Sequence, residues 1–366
     1  MKVKEHEKVK GSGIFGTLQE LGHEQVVFCN DPDTGLKAII AIHNTVLGPA
    51  LGGTRMWHYA TEEEALNDVL RLSRGMTFKA AISGINLGGG KAVIIGDART
   101  QKTEAFLRRF GKFVNSLNGK YITAEDVNMK TSDMEYIGME TKFVTGLPES
   151  MGGGGDPSPV TAYGVYLGMK AAAKHVYGSD SLEGKKIAVQ GVGQVGAHLV
   201  EYLVKENAHV VITDLYEDKV RELVKRLRVR AVGKDEIYDE NMDIFAPCAL
   251  GATVNDETIP RLKCAIIAGA ANNQLKDEVK HGYMLVDRSV TYAPDFLINA
   301  GGLINVYNEF TGNYNRARVF EQADKIYTTC STILNVALSE KIASQEAAIK
   351  LAERRIEQIG RIRMSR

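Results

Sequence analysis

The sequence predicts an α/β protein with two domains, on the strength of three observations. At 366 residues, the chain is longer than a single hydrophobic core usually supports. Strand-like and helix-like apolar patterns alternate along both halves, which is typical of sheets covered by helices. A stretch rich in glycine and proline, residues 146–159, separates the halves. We therefore expect domains at 1–146 and 147–335, followed by a helical segment at 336–366.

The first half predicts three strands and two helices. Residues 36–42, 91–95 and 121–124 have the apolar runs of strands. A capping box at 61–64 opens a helix that carries Lys79 near its far end, and a second helix is expected over 103–117. Ligands of α/β proteins gather at strand ends beside loops such as those predicted here.

The second half predicts a parallel, doubly wound sheet. A helix is expected first, over 160–175. Strands are then expected at 187–189, 209–213, 244–246, 265–268 and 284–286, with helical patterns between the early ones. The tail, residues 319–363, predicts two helices with a break near 339–344, and we expect this end to pack back on the first domain.

Composition excludes several classes of protein. The chain has 45 basic and 45 acidic side chains, so charge gives no reason to expect nucleic acid or a membrane surface as a partner. No apolar run approaches the roughly 20 residues of a membrane span, and the charged N-terminus, residues 1–8, does not resemble a secretion signal. The four scattered cysteines form no CxxC pair, which predicts reduced thiols in the cytoplasm and no metal site. They are Cys29, Cys248, Cys264 and Cys330.

A glycine-rich motif predicts a dinucleotide site. It follows the strand at 187–189, leads into a helical pattern, and comprises Gly191, Val192, Gly193, Gln194, Val195 and Gly196. Its glycines permit a tight turn, close approach of pyrophosphate and close packing of helix on strand. Asp214, eighteen residues after Gly196, can bind ribose hydroxyls and favours NAD over NADP, although Lys219 and Arg221 leave NADP open. The alternative is a glycine-rich turn in an ordinary α/β fold.

Two lysines and an aspartate are the candidates for chemistry. Lys79 and Lys91 stand among small and apolar residues, where an ammonium is costly unless it is paired or used. The glycines at 88–90 leave room for a ligand beside Lys91. A second ammonium nearby and a closed cleft are expected to lower the pKa of Lys91, making it a base, and Asp126 is expected to take protons from, and return them to, the substrate amino group. The alternatives are an exposed charge at a turn for Lys91 and a helix N-cap for Asp126.

Five sequence blocks resemble the amino acid dehydrogenases that act on glutamate, leucine, valine and phenylalanine. They are Leu-Gly-Gly-Thr-Arg at 51–55, Leu-Gly-Gly-Gly-Lys at 87–91, Thr-Ala-Glu-Asp at 123–126, Asp-Pro-Ser-Pro-Val-Thr-Ala at 156–162 and Asn-Ala-Gly-Gly at 299–302. The resemblance spans nearly the whole chain in family order. It implies a substrate-binding and oligomerisation domain at 1–146, a Rossmann NAD-binding domain at 147–335, and a homo-oligomer, octameric in leucine-specific members. The implied reaction is NAD-dependent, reversible oxidative deamination that releases ammonia.

The resemblance also assigns roles to residues. Lys79 matches the lysine that holds the substrate α-carboxylate, Lys91 the catalytic lysine and Asp126 the catalytic aspartate. Positions that line the substrate pocket in the family correspond to Gly52, Gly53 and Ala124, and positions near the nicotinamide correspond to Thr161 and Asn272. Relatives often have alanine at the third motif glycine, Gly196, and either residue is expected to fit. Arg55 is interpreted as structural.

The substrate side chain is predicted to be aliphatic. Glutamate-specific members carry a lysine at the position of Leu51 and a serine at that of Val306, and both polar contacts are lost here. An unpartnered carboxylate is costly to bury, so we expect leucine-like side chains to pack against Leu51, Leu303 and Val306. Phenylalanine and valine dehydrogenases remain alternatives. A catalytically silent NAD-binding regulator is disfavoured, because it would not need Lys79, Lys91 and Asp126 together.

Overall fold

The computed structural model of the protein describes residues 13–364, so the charged N-terminus interpreted above lies outside the described residues. The chain divides into two compact units. Unit 1 contains 13–77 and Asn86–Pro148, and unit 2 contains Phe78–Ile85 and 149–364. The division after Pro148 lies inside the glycine- and proline-rich stretch. The units differ from the predicted domains in that residues 78–85 belong to unit 2.

Unit 1 is built on a five-stranded mixed sheet with the strand order β1-β2-β4-β3-β5. Strand β2 pairs antiparallel with β1 and β4, whereas β3 pairs parallel with β4 and β5. The strands are β1 (Gln25–Asp31), β2 (Leu36–Asn44), β3 (Ala50–Trp57), β4 (Gly88–Ile95) and β5 (Tyr121–Glu125). The helices are α1 (Ile14–Leu21), α2 (Glu62–Ile82), α3 (Glu104–Ser116) and α4 (Thr131–Gly138), and the last residues of α2 belong to unit 2.

Side-chain alternation buries both faces of this sheet. On one face, Ile39 of β2 packs with Val69 and Leu70 of α2, and on the other, Ile40 packs with Phe106 of α3. Lys91 has the same parity on β4 as Val93, which packs on the α2 side. The sheet therefore carries Lys91 into a covered face rather than into solvent.

Helix α2 begins as the capping box predicts, with one difference. The hydroxyl of Thr61 accepts from the Glu64 N–H at 3.1 Å, but the Glu64 carboxylate accepts from the N–H of Ala60, one residue before the cap, at 2.8 Å. Three glutamates in the first turn also favour the positive end of the helix dipole. These contacts fix where α2 starts.

Unit 2 is a six-stranded sheet with the order β11-β10-β9-β6-β7-β8, and all its pairs are parallel. The predicted doubly wound sheet is therefore confirmed. The strands are β6 (Lys186–Gln190), β7 (His209–Thr213), β8 (Arg230–Ala231), β9 (Ile244–Pro247), β10 (Ile266–Ile267) and β11 (Thr291–Tyr292). The helices are α5 (Ser158–Tyr177), α6 (Gln194–Lys205), α7 (Glu217–Leu227), α8 (Glu278–Asp287), α9 (Asp295–Ile298), α10 (Gly301–Phe310), α11 (Arg316–Glu340) and α12 (Ser344–Met364).

The chain order of this sheet reverses at β6, which lies between β7 and β9. Successive crossovers leave β6 in opposite directions at such a point, so the loops at the strand ends part and leave a crevice. The glycine-rich motif follows β6 directly. The topology thus places the motif where open α/β sheets bind ligands.

One predicted strand is wrong. Residues 284–286 belong to α8, and the edge strand is β11, a few residues later. The helix is fixed from its start, where the Asp277 carboxylate accepts from the N–H groups of Val279 and Lys280. A run of three apolar residues cannot by itself distinguish a strand from a buried helix turn.

The predicted C-terminal helices are confirmed, with the break at residues 341–343. Lys341 adopts a left-handed conformation, φ 57°, that ends α11. In α12, the Arg355 guanidinium donates to the carbonyls of Ala81 and Ile85 at 3.0 and 2.9 Å. Ala81 and Ile85 lie within the predicted first domain, residues 1–146, but they belong to unit 2. The predicted domain limits, and the packing of the C-terminal end on the first domain, therefore stay predictions.

None of the helices within residues 13–364 combines the length and apolar character that crossing a membrane requires. The four cysteines all lie in this range and are unpaired. Burial raises the pKa of the Cys29 and Cys330 thiols to about 12, so both stay protonated at neutral pH.

Candidate active site

Two glycines of β3 let the backbone of unit 1 close up around the predicted catalytic residues. A Cβ on Gly52 would lie 1.7 Å from the carbonyl oxygen of Gly90, next to Lys91. A Cβ on Gly53 would lie 2.3 Å from the carbonyl oxygen of Glu125 and 2.9 Å from the Cβ of Asp126. Contacts this short exclude any side chain. Both glycines are therefore required by the packing of β3 against β4 and the end of β5.

Lys91 and Asp126 form a buried ion pair. The Lys91 Nζ lies 2.5 Å from the Asp126 Oδ2, and their side chains are 8% and 22% exposed. Burial raises the pKa of the Asp126 carboxyl, but the charges of Lys91 and Arg55 outweigh it, so its pKa is lower than usual. The alternatives drawn from the sequence are wrong: Lys91 lies within β4, and α4 begins only at Thr131, too late for Asp126 to cap it.

Arg55 joins this pair from β3. Its Nε lies 3.3 Å from the Asp126 Oδ2, and its Nη1 lies 3.1 Å from a carboxylate oxygen of Asp68 on α2. The Tyr59 hydroxyl donates to the same Asp68 oxygen at 2.7 Å. The residue that the sequence analysis interpreted as structural thus contacts the predicted catalytic aspartate.

The loop that carries Asp126 is held by hydrogen bonds and an ion pair at the residues that follow Asp126. The Lys102 Nζ donates to the Asn128 carbonyl at 2.8 Å and pairs with Asp133 at 2.5 Å. The Asn128 side chain donates to the carbonyl of Met56 at 3.0 Å, and its backbone is left-handed with φ 61°. These bonds hold the loop in one shape, so Asp126 is presented from a rigid base.

Apart from Gly52 and Gly53, the predicted pocket residues form one apolar pair in each unit. In unit 1, Leu51 on β3 and Ala124 on β5 are both buried, and Ala124 is paired in register with Gly53. In unit 2, Leu303 and Val306 lie one turn apart on α10, the first buried and the second half-buried. Each pair offers an apolar surface.

Lys79 belongs to a polar chain in unit 2. Its Nζ donates to the Asn299 Oδ1 at 2.6 Å, and the Asn299 amide donates to the Asn272 Oδ1 at 2.8 Å and to the Ala270 carbonyl at 3.1 Å. Asp295 is buried close by, and its burial raises the pKa of its carboxyl. The structure therefore links two predicted site residues, Lys79 and Asn272, through Asn299, which was not predicted.

Thr161 lies on the first turn of α5, against the start of α10. Its hydroxyl donates to the Pro157 carbonyl at 3.0 Å. A Cβ on Gly301 would lie 2.3 Å from the Val160 carbonyl oxygen, so only glycine lets α10 begin this close to α5. The Asn-Ala-Gly-Gly block thus serves packing as well as the polar chain of Lys79.

The glycine-rich motif forms the predicted turn between β6 and α6. Gly191 has φ 100°, and its N–H donates to the Thr213 carbonyl at 2.7 Å. A Cβ on Gly193 would meet nothing within 4 Å, so this glycine faces open space. Helix α6 starts at Gln194 with no side-chain cap, which leaves its first N–H groups for an anion.

Asp214 follows β7 directly and lies against this turn. Its carboxylate accepts from the N–H of Val192 at 2.7 Å and from the N–H of Tyr216 at 3.0 Å. A carboxylate has about four acceptor sites, so these two bonds leave capacity for hydroxyl donors. Leu215 and Tyr216, both exposed, flank it and offer apolar surface to a planar ring.

The expectation that alanine would fit at Gly196 is wrong for this chain. A Cβ there would lie 2.0 Å from the carbonyl oxygen of Gly191, a backbone atom that cannot move without the turn moving. The first and third glycines of the motif are in close backbone contact, so the turn requires glycine at position 196.

Comparison with known proteins shows the family of this chain. A family model described as the Glu/Leu/Phe/Val dehydrogenase dimerisation domain matches residues 23–143, and one described as Glutamate/Leucine/Phenylalanine/Valine dehydrogenase matches 152–216 and 212–359. The chain belongs to this family. It is an amino acid dehydrogenase with NAD as cofactor, and the predicted two-domain α/β fold is confirmed.

Individual relatives are similar along almost their full length. The chain is 55% identical to a leucine dehydrogenase of Bacillus cereus over 343 residues, which cover 94% of this chain and 93% of the relative. It is 48% identical to a phenylalanine dehydrogenase of Caldalkalibacillus thermarum over 345 residues, 93% of each. The crystal structure of L-tryptophan dehydrogenase from Nostoc punctiforme superposes with a TM-score of 0.86 at 46% identity, covering 95% of this chain and 100% of that one.

The turn of this dehydrogenase fits its dinucleotide cofactor. The open space at Gly193, the uncapped start of α6 and the carboxylate of Asp214 are what a pyrophosphate and an adjoining ribose require. No cluster of three or more potential metal ligands occurs among residues 13–364.

Two residues of this site, Arg55 and Asn299, were not predicted to belong to it. Arg55 contacts a carboxylate 71 residues away, and Asn299 contacts an ammonium 220 residues away. Both stand in blocks that carried the family resemblance. The available signal was a polar residue in such a block, two positions after the glycine pair for Arg55 and two positions before it for Asn299.

Proposed function

We propose that this dehydrogenase catalyses the reversible, NAD-dependent oxidative deamination of leucine and similar branched L-amino acids to the 2-oxo acid and ammonia. The observation that carries the proposal is the ion pair of Lys91 and Asp126, buried and 2.5 Å long. A paired amine and carboxylate inside a protein can exchange protons with a bound substrate, and deamination needs several such transfers.

The protein's own groups divide the proton transfers between them. NAD+, when bound, supplies a hydride acceptor for the substrate Cα. Asp126 first takes a proton from the ammonium of the substrate. After hydride transfer, the Lys91 amine, having given its own proton to solvent, takes a proton from the water that attacks the iminium carbon. Asp126 then returns its proton to the nitrogen of the resulting carbinolamine and takes the hydroxyl proton as the C–N bond breaks, so that the 2-oxo acid forms and ammonia leaves. In the reverse direction the same groups exchange the same protons.

Lys79 is the proposed holder of the substrate α-carboxylate. An ammonium carries three N–H donors, so it can bind a carboxylate by charge-assisted hydrogen bonds while it keeps its bond to Asn299. Asn299 fixes the direction of the ammonium and is itself fixed by Asn272 and the Ala270 carbonyl. This polar chain connects the proposed carboxylate site to Asn272, proposed to lie near the nicotinamide together with Thr161.

The cofactor contacts follow from the turn. We assign the pyrophosphate to the first N–H groups of α6, beside Gly193, and the adenosine ribose to Asp214. A carboxylate at that position accepts from both ribose hydroxyls and repels a 2′-phosphate, which favours NAD over NADP.

In both units the residues assigned to contact the substrate side chain are apolar. Leu51 is 2% exposed, Leu303 is 6% exposed, and Val306 lies one turn further along α10. Burial of a glutamate carboxylate against such residues would cost several kcal/mol, in order of magnitude. An aliphatic side chain instead gains about 0.8 kcal/mol for each methylene that it buries. Leucine is therefore favoured over glutamate.

We further propose that the protein works in the cytoplasm as a homo-oligomer, with eight subunits as in leucine-specific members. The match of residues 23–143 to a dimerisation domain supports an oligomer. Sedimentation velocity on the full chain distinguishes a dimer from a hexamer or an octamer.

The test is a substrate panel followed by NADH absorbance. Leucine, isoleucine, valine, phenylalanine, tryptophan and glutamate are each offered with NAD and with NADP. We expect the highest kcat/KM for leucine with NAD. Valine, which has one methylene fewer, should lie within about 10–200-fold, since one methylene is worth about 1–3 kcal/mol, and the isomer isoleucine should differ by no more than that. A preference for glutamate or for an aromatic amino acid would contradict the pocket assignment. If none of these amino acids reduces NAD, the alternative of a catalytically silent NAD-binding regulator would be favoured.

A further inference from the structure

The two cations that contact Asp126 meet the same carboxylate oxygen. The Lys91 Nζ lies 2.5 Å from the Oδ2, and the Arg55 Nε lies 3.3 Å from that oxygen. Each of these ion pairs is closest at the Oδ2, and the carboxyl also has a hydrogen bond from the backbone of Val127. Two donors on one oxygen fix the rotation of a carboxylate about its χ2 angle, so the two oxygens of Asp126 are not equivalent.

We propose that Arg55 is a positioning residue of the deamination reaction: it fixes the Asp126 carboxylate so that the Oδ2 pairs with Lys91 and the Oδ1 exchanges protons with the substrate nitrogen. This inference rests on the proposed function. It gives a role to an arginine that the sequence motif contains and the proton transfers do not use.

Arg55 is also bound on the side away from Asp126. Its Nη1 lies 3.1 Å from the Asp68 Oδ2, which also accepts from the Tyr59 hydroxyl at 2.7 Å. The side chains of Arg55 and Asp68 are 23% and 15% exposed. Arg71 reaches the other oxygen of Asp68 at 3.3 Å from an exposed position. The guanidinium therefore bridges two carboxylates with separate nitrogens, which its rigid planar fork permits and a lysine ammonium cannot copy.

Around Asp126, the two cations Lys91 and Arg55 and the two carboxylates Asp126 and Asp68 carry equal and opposite charge. Lys91 faces Asp126 from β4 and Arg55 faces it from β3, with Asp68 and Tyr59 behind Arg55. Tyr121 approaches from β5, and both tyrosines have pKa values raised chiefly by burial, so they stay neutral. The pKa of Arg55 is also raised, since Asp126 and Asp68 together outweigh the effect of its burial. Arg55 is thus a permanent cation beside a carboxylate that titrates.

The experiment is the pH dependence of kcat/KM for leucine in Arg55→Met. The proposed reaction needs both Lys91 and Asp126 unprotonated, so log kcat/KM falls with a slope of about 2 at the lowest pH, and the acid limb followed here is the onset of that slope, where Asp126 takes up its proton. Loss of the cation raises the pKa of Asp126, so the ionised form disappears at a higher pH as the solution is acidified. We expect the acid limb of the profile to move up by about 1–3 pH units, the usual effect of an adjacent arginine on an aspartate. A residue that only stabilises the fold would lower activity without moving this limb.

Three further variants separate charge from orientation. Arg55→Lys keeps the charge and loses the bridge, so we expect a wild-type acid limb with kcat still reduced, by about tenfold or more. Arg71→Met, on the exposed side of the same Asp68, serves as the matched control with a wild-type profile. Asp68→Asn, which removes the anchor, is expected to lower kcat while the NAD KM stays unchanged and the acid limb does not rise.

An acid limb of Arg55→Met that coincides with the wild type overturns the inference, whatever its kcat. If Arg55→Met does not fold, a kcat of Asp68→Asn within twofold of the wild type overturns it instead. If the wild type does not oxidise leucine, the proposed function fails separately, and the profiles are measured with whichever amino acid the panel identifies.

Discussion

Glycines do different work in the two units of this dehydrogenase. In unit 1, Gly52 and Gly53 let backbone approach backbone, so that charged side chains from different strands are crowded together. In unit 2, Gly191 and Gly193 form a turn whose useful groups are backbone N–H donors. The same residue type builds a side-chain cluster in one place and a backbone cradle in the other. Chemistry and cofactor binding should therefore respond to different mutations.

The largest expected effect comes from the side-chain cluster. Lys91→Ala removes the proposed base and should lower kcat for leucine by about 10²–10⁴-fold, the range of general acid–base catalysis. NADH binding, followed by fluorescence titration, should be unchanged, since no group of the turn is altered. Lys120→Ala, at an exposed lysine of unit 1, is the control. Turnover of Lys91→Ala within tenfold of the wild type would remove this residue from the mechanism.

The next effect separates two glycines within the cradle. Gly193→Ala adds a methyl group in open space, where pyrophosphate would approach, so we expect the NAD KM to rise about tenfold or more with the melting temperature unchanged. Gly196→Ala adds a methyl group against the Gly191 carbonyl and should cost about 1–3 kcal/mol of stability. The NAD KM and the melting temperature of both variants decide this. Identical behaviour of the two would show that the turn is not closed as described.

The smallest effects compare glycines of unit 1. Gly53→Ala should destabilise the protein by about 1–3 kcal/mol, because its methyl group would meet Glu125 and Asp126. Gly75→Ala, on the exposed side of α2 with nothing within 4 Å, should instead stabilise it by about 0.5–1 kcal/mol through helix propensity. Denaturant unfolding measures both. A destabilising Gly75→Ala would indicate that this part of α2 is not as open as the structure places it.

The fold was predictable where the signal is local. The turn at 191–196 and Asp214 lie within 24 residues, and both strands that flank the turn were predicted. Strand β3 was not, because the Gly-Gly pair at its centre has low strand propensity and its pairing depends on β4 and β5. The strand expected at 284–286 failed for the opposite reason: a helix start at Asp277 outweighed a short apolar run.

The site was predictable as far as the family motifs reach. Lys91 and Asp126 were expected to act on the same substrate, and the structure brings them together as an ion pair, which was not itself predicted. The bridge from Asp68 through Arg55 to Asp126 joins α2, β3 and the end of β5, which only the folded chain brings together. The same holds for Asn299, whose partner Lys79 lies at the far end of α2.

The most direct test of the central claim is steady-state kinetics of Asp126→Asn with leucine and NAD varied in one experiment. If the buried pair carries the proton transfers and the turn of unit 2 holds the cofactor by itself, kcat falls at least about 100-fold while the NAD KM stays within about twofold of the wild type. A kcat close to the wild-type value, or a NAD KM that rises in step with the loss of kcat, would contradict the account.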